Sequence, residues 1–268
     1  MMIPYVIADA HVVAKRNIIK IKRVPDLLVF TTLSPIMFVL LFSFVFGGAI
    51  DRTGGGAAYR QFLIAGIFAQ TVIFGATITG AGLADDVKKG IIDRFRSLPM
   101  APSAVLTGRT LSDVVNNIIV LIVMSLTGLL VGWRIHGTVL AALGGYALLL
   151  VFAYAISWIM AWIGMLVPSP EVVNNASFIV IFPLTFVANT FVPLATLPEP
   201  LRTFAEWNPV SAVTQAAREL FGNIGASTPR PDAWSLQNPA VYTLIWAVLI
   251  LAVFIPVANA QYHVSTSR

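Results

Sequence analysis

The sequence predicts an all-α, polytopic membrane protein of six transmembrane helices, and three observations point there. Hydrophobic residues make up 57% of the 268 and charged residues only 11%, against about 25% charged in an average soluble domain. The chain lacks the polar residues to coat a water-facing surface, and its mean hydropathy is +0.84. Six uncharged runs approach or exceed the roughly 20 helical residues that cross a hydrocarbon core of about 30 Å. The lysines and arginines, finally, gather in alternate connections, as the positive-inside bias requires.

The six runs are 27–50, 62–83, 114–131, 139–167, 172–194 and 241–260. The fourth, ending before Pro168-Ser169-Pro170, is long enough to tilt. Pro35, Pro183 and Pro256 lie within runs; each removes a backbone donor and is expected to bend its helix. With the N-terminus inside, eleven of the 17 cations fall on the inner side: Lys15, Arg16, Lys20, Lys22 and Arg23, then Lys88, Lys89, Arg94, Arg96 and Arg109, and lastly Arg268. Six fall outside: Arg52, Arg60, Arg134, Arg202, Arg218 and Arg230. Both termini are therefore expected in the cytoplasm. The first 24 residues hold no apolar core followed by a small-residue cleavage site, so the first span is expected to serve as an uncleaved insertion signal.

Four connecting segments have their own character. In 5–23, Ile7, Ala10, Ala14, Ile18 and Ile21 share one helical face and Asp9, Arg16, Lys20 and Arg23 the other. That pattern predicts a basic amphipathic helix on the inner membrane surface. In 51–60, Gly54-Gly55-Gly56 is a flexible loop and not a phosphate loop, because Lys and Ser/Thr do not follow at the required spacing. The stretch 84–109 repeats Val87, Ile91, Phe95 and Leu98 at helical spacing amid charges, and Leu98-Pro99 ends the pattern. Such a stripe either docks on a partner or packs on its own bundle. In 196–239, two short helices are expected to open at proline, PEPLRTFAEW and NPVSAVTQAARELFGN. Val210, Val213, Ala217 and Leu220 line one side of the second, which is expected to dip into the interface or cap a bundle.

What the spans lack narrows the function. Asp26, Asp113 and Glu171 sit at span ends, and no ionisable residue is expected near a span centre. Ion-coupled carriers, pumps and voltage sensors generally need such groups. A carbonyl-lined sodium site keeps the secondary-carrier class open, and a membrane-embedded lipid enzyme is the other alternative. No cysteine is present, the three histidines are scattered, and no cluster of metal ligands is visible. The net charge of +5 flanks apolar spans and so addresses lipid headgroups rather than nucleic acid. No GxxxxGKS or GxxxxGKT occurs, so no ATP-binding phosphate loop is available to this chain. Asn116, Asn117, Asn174, Asn175, Asn189 and Asn259, in or near spans, fit interhelical bonding better than substrate contact. A membrane bundle without an energy source needs an outside motor and a surface on which to dock it.

Two motifs and the topology resemble a known family. The loop DDVKKGIIDRFRSLPMAP resembles an acidic-basic-Gly-(x)-Arg-x-Arg-Ser-x-Pro-Met loop, and NPVSAVTQAAREL an Asn-Pro…Ala-x-Arg segment before the last span. Both are similar to the ABC type-2 permeases, in the daunorubicin-resistance-like branch of antibiotic and lipid exporters. The resemblance covers nearly the whole chain, taken as a single transmembrane domain over 1–268. It implies a homodimer or heterodimer of such chains on two cytoplasmic ABC ATP-binding subunits, which would hold the ATP and magnesium. It implies that 84–99 is a coupling helix whose partner contacts come from Asp86, Val87, Lys88, Gly90, Ile91, Asp93, Arg94, Phe95, Arg96, Leu98 and Pro99. It implies that 5–23 is a connecting helix, that Asn208, Pro209 and Arg218 mark the outer segment, and that the cargo is an amphipathic drug, lipid or glycolipid. The Lys88-Lys89 pair departs from relatives with acidic residues there.

Overall fold

A computed structural model describes residues 12–14, 19, 25–46, 56–96, 102–167, 169–224 and 232–264. Among them every regular element is helical, with no strand. The expected amphipathic helix at 5–23 lies almost wholly outside the described residues, as do 47–55 and 97–101.

Helix α1, Pro25–Leu41, contains Pro35 and runs on through a π-helical turn, Phe42–Phe46. Helices α2 (Ala57–Gly75) and α3 (Thr77–Lys88) form one rod of 32 residues interrupted only at Ala76. There the Thr77 hydroxyl donates to the Phe74 carbonyl at 2.7 Å. Next come α4 (Ile91–Arg96), α5 (Pro102–Leu130), α6 (Val139–Leu166) and α7 (Pro170–Phe186). The chain closes with α8 (Glu199–Trp207), α9 (Pro209–Phe221), α10 (Trp234–Gln237) and α11 (Pro239–Val264).

Among the described residues four helices are long and apolar enough to cross a membrane: Ala57–Lys88, Ser103–Leu130, Val139–Leu166 and Pro239–Tyr262. Leu33–Val45 and Pro170–Phe186 are apolar but shorter. At 1.5 Å per residue, the 17 residues of α7 reach about 26 Å. The expected fifth span, 172–194, therefore stops early, and the cause is tertiary. The Asn208 amide donates to the Leu184 carbonyl at 2.7 Å and to the Val187 carbonyl at 3.2 Å. Those bonds satisfy carbonyls that a longer helix would have used internally. At the other extreme, α5 begins at Pro102 instead of near 114. Its 29 residues reach about 44 Å, more than the hydrocarbon core needs.

The core forms around α2, where Leu63, Ile64 and Phe68 are fully buried. The apolar window of the α2–α3 rod is 67% buried and that of α11 only 11%, so the rod is the central helix and α11 a peripheral one. Backbones meet closely where side chains vanish: a Cβ on Gly164 would lie 2.3 Å from the Gly80 carbonyl oxygen. Contact this close between α3 and α6 requires glycine and is the small-residue packing expected in lipid.

Candidate functional site

The two ends of the bundle differ in construction. At one end α3 stops at Lys88, and the chain turns through Gly90 at φ +66°. The Lys89 N–H still donates to the Asp85 carbonyl at 3.0 Å, the Gly90 N–H to Val87 at 3.0 Å, and the Arg94 N–H to Gly90 at 3.3 Å. A Cβ on Gly90 would meet nothing within 4 Å. Glycine is thus demanded by the left-handed backbone and not by crowding.

This turn splits the continuous stripe that the sequence suggests and changes its phase. Val87 and Phe95 are half-buried against the chain's own cluster of Leu83, Val105, Leu106, Trp158 and Met165. Ile92, which the repeat missed, is buried there at 4% exposure, and Ile91 is half-buried. The signal for Ile92 was available only to a reader who broke the helix at Gly90. Asp86 is turned inward and buried. Lys88, Lys89, Gly90, Asp93 and Arg94 stand exposed at the tip. Lys89 Nζ lies 2.7 Å from Asp85 Oδ2, and that bond holds its ammonium above the ordinary value. Arg96 closes α4, while Leu98 and Pro99 lie outside the described residues.

Arg109, counted in the inner loop by the sequence, is instead buried within α5. Its Nη2 donates to the Ile78 carbonyl at 3.0 Å. A Cβ on Gly82 would lie 1.9 Å from that nitrogen, so Gly82 makes the room. Asp113, one turn on, is buried too. The sequence places it at a span end, away from any span centre; because the helix reaches back to Pro102, Asp113 instead lies well inside the apolar helix Ser103–Leu130.

At the opposite end, α9 is inserted into the bundle. From Val210 to Arg218 each residue is buried, including the expected Val210, Val213 and Ala217, while Leu220 is half-buried. Asn208 starts the helix: its Oδ1 accepts from the Val210 N–H at 2.9 Å, and Pro209 occupies the first turn, where its missing N–H costs nothing. Arg218, 1% exposed, stacks over the Phe62 ring at 3.5 Å. Its Nε donates to the Phe62 carbonyl at 2.7 Å and its Nη2 to the Thr190 carbonyl at 3.1 Å. A guanidinium stays charged even here, and two carbonyls and a ring face stabilise it. Gly222, at φ +71°, ends the helix, and the Phe221 carbonyl accepts from the N–H groups of His136 and Gly137 at 2.8 and 2.9 Å. Asn189, Gln215 and Glu219 form a ladder beside it, with amide bonds of 2.9 and 3.2 Å. Burial pushes the Glu219 carboxyl above its usual range while the Gln215 amide pulls it down. Asn208, Pro209 and Arg218 together clamp α9 to α2 and to the end of α7. No group of three or more potential metal ligands occurs among the described residues.

Comparison with known proteins gives this architecture a family. The family model described as ABC-2 type transporter matches residues 9–221, ending at the last residue of α9. The chain is 37% identical over 207 residues to the daunorubicin resistance ABC transporter permease protein DrrB1 of Streptomyces coeruleorubidus, covering 77% of this chain and 72% of that one. It is 26% identical over 225 residues to the doxorubicin resistance ABC transporter permease protein DrrB of Mycobacterium tuberculosis, covering 82% and 78%. Both relatives are named as transport permeases. The chain belongs to the ABC-2 type transporter permease family.

Proposed function

We propose that this chain is the membrane-spanning subunit of an ABC exporter, driven by a separate cytoplasmic ATP-binding subunit that docks on the Gly90 turn. The carrying observation is the exposed charged tip of Lys88, Lys89, Gly90, Asp93 and Arg94 on a chain whose sequence has no phosphate loop. Charges at a rim steer a partner into register. The turn is the end of the central rod, so a push on it enters the bundle directly. The Gly80–Gly164 contact and the Arg109–Ile78 bond then pass the movement from α3 to α6 and α5. Val87, Ile91 and Phe95 hold the turn in place and Asp86 is buried behind it, so of the contact assigned by resemblance Arg96, Leu98 and Pro99 join the exposed tip. Both termini lie in the cytoplasm, two permease chains stand side by side, and the cargo is an amphipathic drug, lipid or glycolipid. The chain supplies the path, and hydrolysis belongs to its partner.

The test is co-purification with the ABC ATP-binding subunit, read with ATP-driven efflux. Reversing Lys88, Lys89 and Arg94 to Glu is expected to weaken assembly more at low salt than at high salt, with the bundle still folded. Full assembly and efflux in that variant would remove the docking assignment. Orientation is checked in the Cys-free chain: Ala57→Cys and Thr203→Cys are expected to react with an impermeant thiol reagent in intact cells, and Lys89→Cys only after lysis.

A further inference from the structure

Arg218 carries a charge that no carboxylate of the described chain answers. It is 1% exposed, and its Nε and Nη2 are bonded to the Phe62 and Thr190 carbonyls at 2.7 and 3.1 Å. Its third nitrogen, Nη1, is buried without a partner. Among the described residues the ion pairs join Lys89 to Asp85 and Arg202 to Glu206 and Asp232, and none reaches Arg218. Glu219, the next residue, is bonded to the Gln215 amide instead. The Tyr59 phenol donates to the Phe191 carbonyl at 3.0 Å. Taking a cation out of water with no counter-charge is strongly unfavourable.

Two hydroxyls beside the guanidinium are in the same condition. Thr190 Oγ1 and Thr214 Oγ1 are buried without a partner, and both residues are 0% exposed. Thr214 precedes Arg218 by one turn of α9, so the two share a face, and the longer side chain leans back toward the shorter. Thr190 is held to the guanidinium by its own carbonyl. That carbonyl lies against α2, where a Cβ on Gly66 would be 2.2 Å from its oxygen. The unfilled groups are a guanidinium N–H and two hydroxyls, all able to donate. A water molecule would bond them and leave the charge unanswered. A sulfate or phosphate is too large and too strongly hydrated for a corner without exposed lining.

We infer that Arg218 Nη1 and the hydroxyls of Thr190 and Thr214 bind one chloride ion, which supplies the missing counter-charge. The ion ties α9 to the segment after α7 and makes the stability of that end depend on chloride. This site does not depend on the transporter reading, since it concerns the fold of the chain and not its cargo.

The experiment places the purified full chain in lipid nanodiscs in sodium gluconate and replaces gluconate by chloride at constant ionic strength. Radiolabelled chloride is expected to bind saturably at one ion per chain, with empty nanodiscs subtracted, and bromide to displace it. Tm is expected to rise by several degrees as the site fills, because the ion binds the folded chain alone. Thr214→Val and Thr190→Val keep the shape and each remove one donor. Each is expected to weaken chloride binding about tenfold, the loss of one hydrogen bond to a charged group. In gluconate their Tm is expected to match or exceed that of the unsubstituted chain, because an unbonded buried hydroxyl is gone. Thr203→Val, on the exposed face of α8, is the control and is expected to change neither reading. The absence of saturable chloride binding overturns the inference, and water then fills the corner. So does unaltered chloride affinity in both buried threonine variants, or an equal loss in Thr203→Val, since the effect is then one of salt in general.

Discussion

The Gly90 end and the Arg218 end of this bundle solve opposite problems. At the Arg218 end, the side chains of Asn208 and Arg218 reach backbone carbonyls of α2, of the α7 terminus and of Thr190 just beyond it, and hold α9 inside the bundle. At the Gly90 end, the apolar side chains pack on the bundle while cations and a bare glycine face outward. The first arrangement is made within one chain. The second leaves a charged tip on the end of the central rod, which is what a docking surface requires. On the proposed reading stability is concentrated at one end and partner docking at the other, so substitutions at the two ends are expected to fail different assays.

The largest effect is expected from Arg218→Met. Two carbonyls lose a charged donor, at about 1.5–3 kcal/mol each before any relaxation. The protein should lose yield and monodispersity in detergent, and a well-folded Met variant would show that the clamp is dispensable. Asn208→Ala comes next, at about 2 kcal/mol, from the lost cap together with two unsatisfied carbonyls at the end of α7. A thermal-unfolding series in detergent measures it, and an unchanged Tm would break the link drawn between α9 and the shortened α7.

Gly90→Ala sharpens the comparison from the other side. An L side chain at φ +66° costs about 1 kcal/mol, so Tm should move little. Efflux per ATP hydrolysed should fall far more than stability does. Parallel losses in both would make the turn a structural feature like the Arg218 end. The smallest effect concerns Glu219. Its carboxyl is held above the ordinary value of 4.5, so the folded state binds more protons than the unfolded one just above that pH. Stability should therefore decline as pH rises through that window. Glu219→Gln should flatten the slope, which a pH series of melting curves resolves.

Much of this was legible in the residues because lipid leaves few choices. Long uncharged runs must be helices, since no water satisfies the backbone, and the runs at 139–167 and 241–260 were found almost residue for residue. The NPVSAVTQAAREL segment announced its own helix through Asn208 and Pro209. Its burial was not legible, because Arg218 looks like an outer-loop cation until Phe62 and Thr190 supply carbonyls from distant sequence. Helix α5 reaching back to Pro102, with Arg109 inside, was hidden for the same reason: Gly82 and Ile78 make the place for that guanidinium. The stripe over 84–99 was read in one phase because a single positive φ at Gly90 leaves no mark on a periodicity count.

Composition and pattern alone determined the solvent, the helical class and the absence of an ATP-binding loop, since these follow from local hydrophobicity and from short contiguous motifs. Only the tertiary structure decided which charges are buried, where α7 stops and which buried polar groups lack a partner. Those outcomes depend on carbonyls and glycines brought together from positions far apart in the chain, and no local window of sequence contains them.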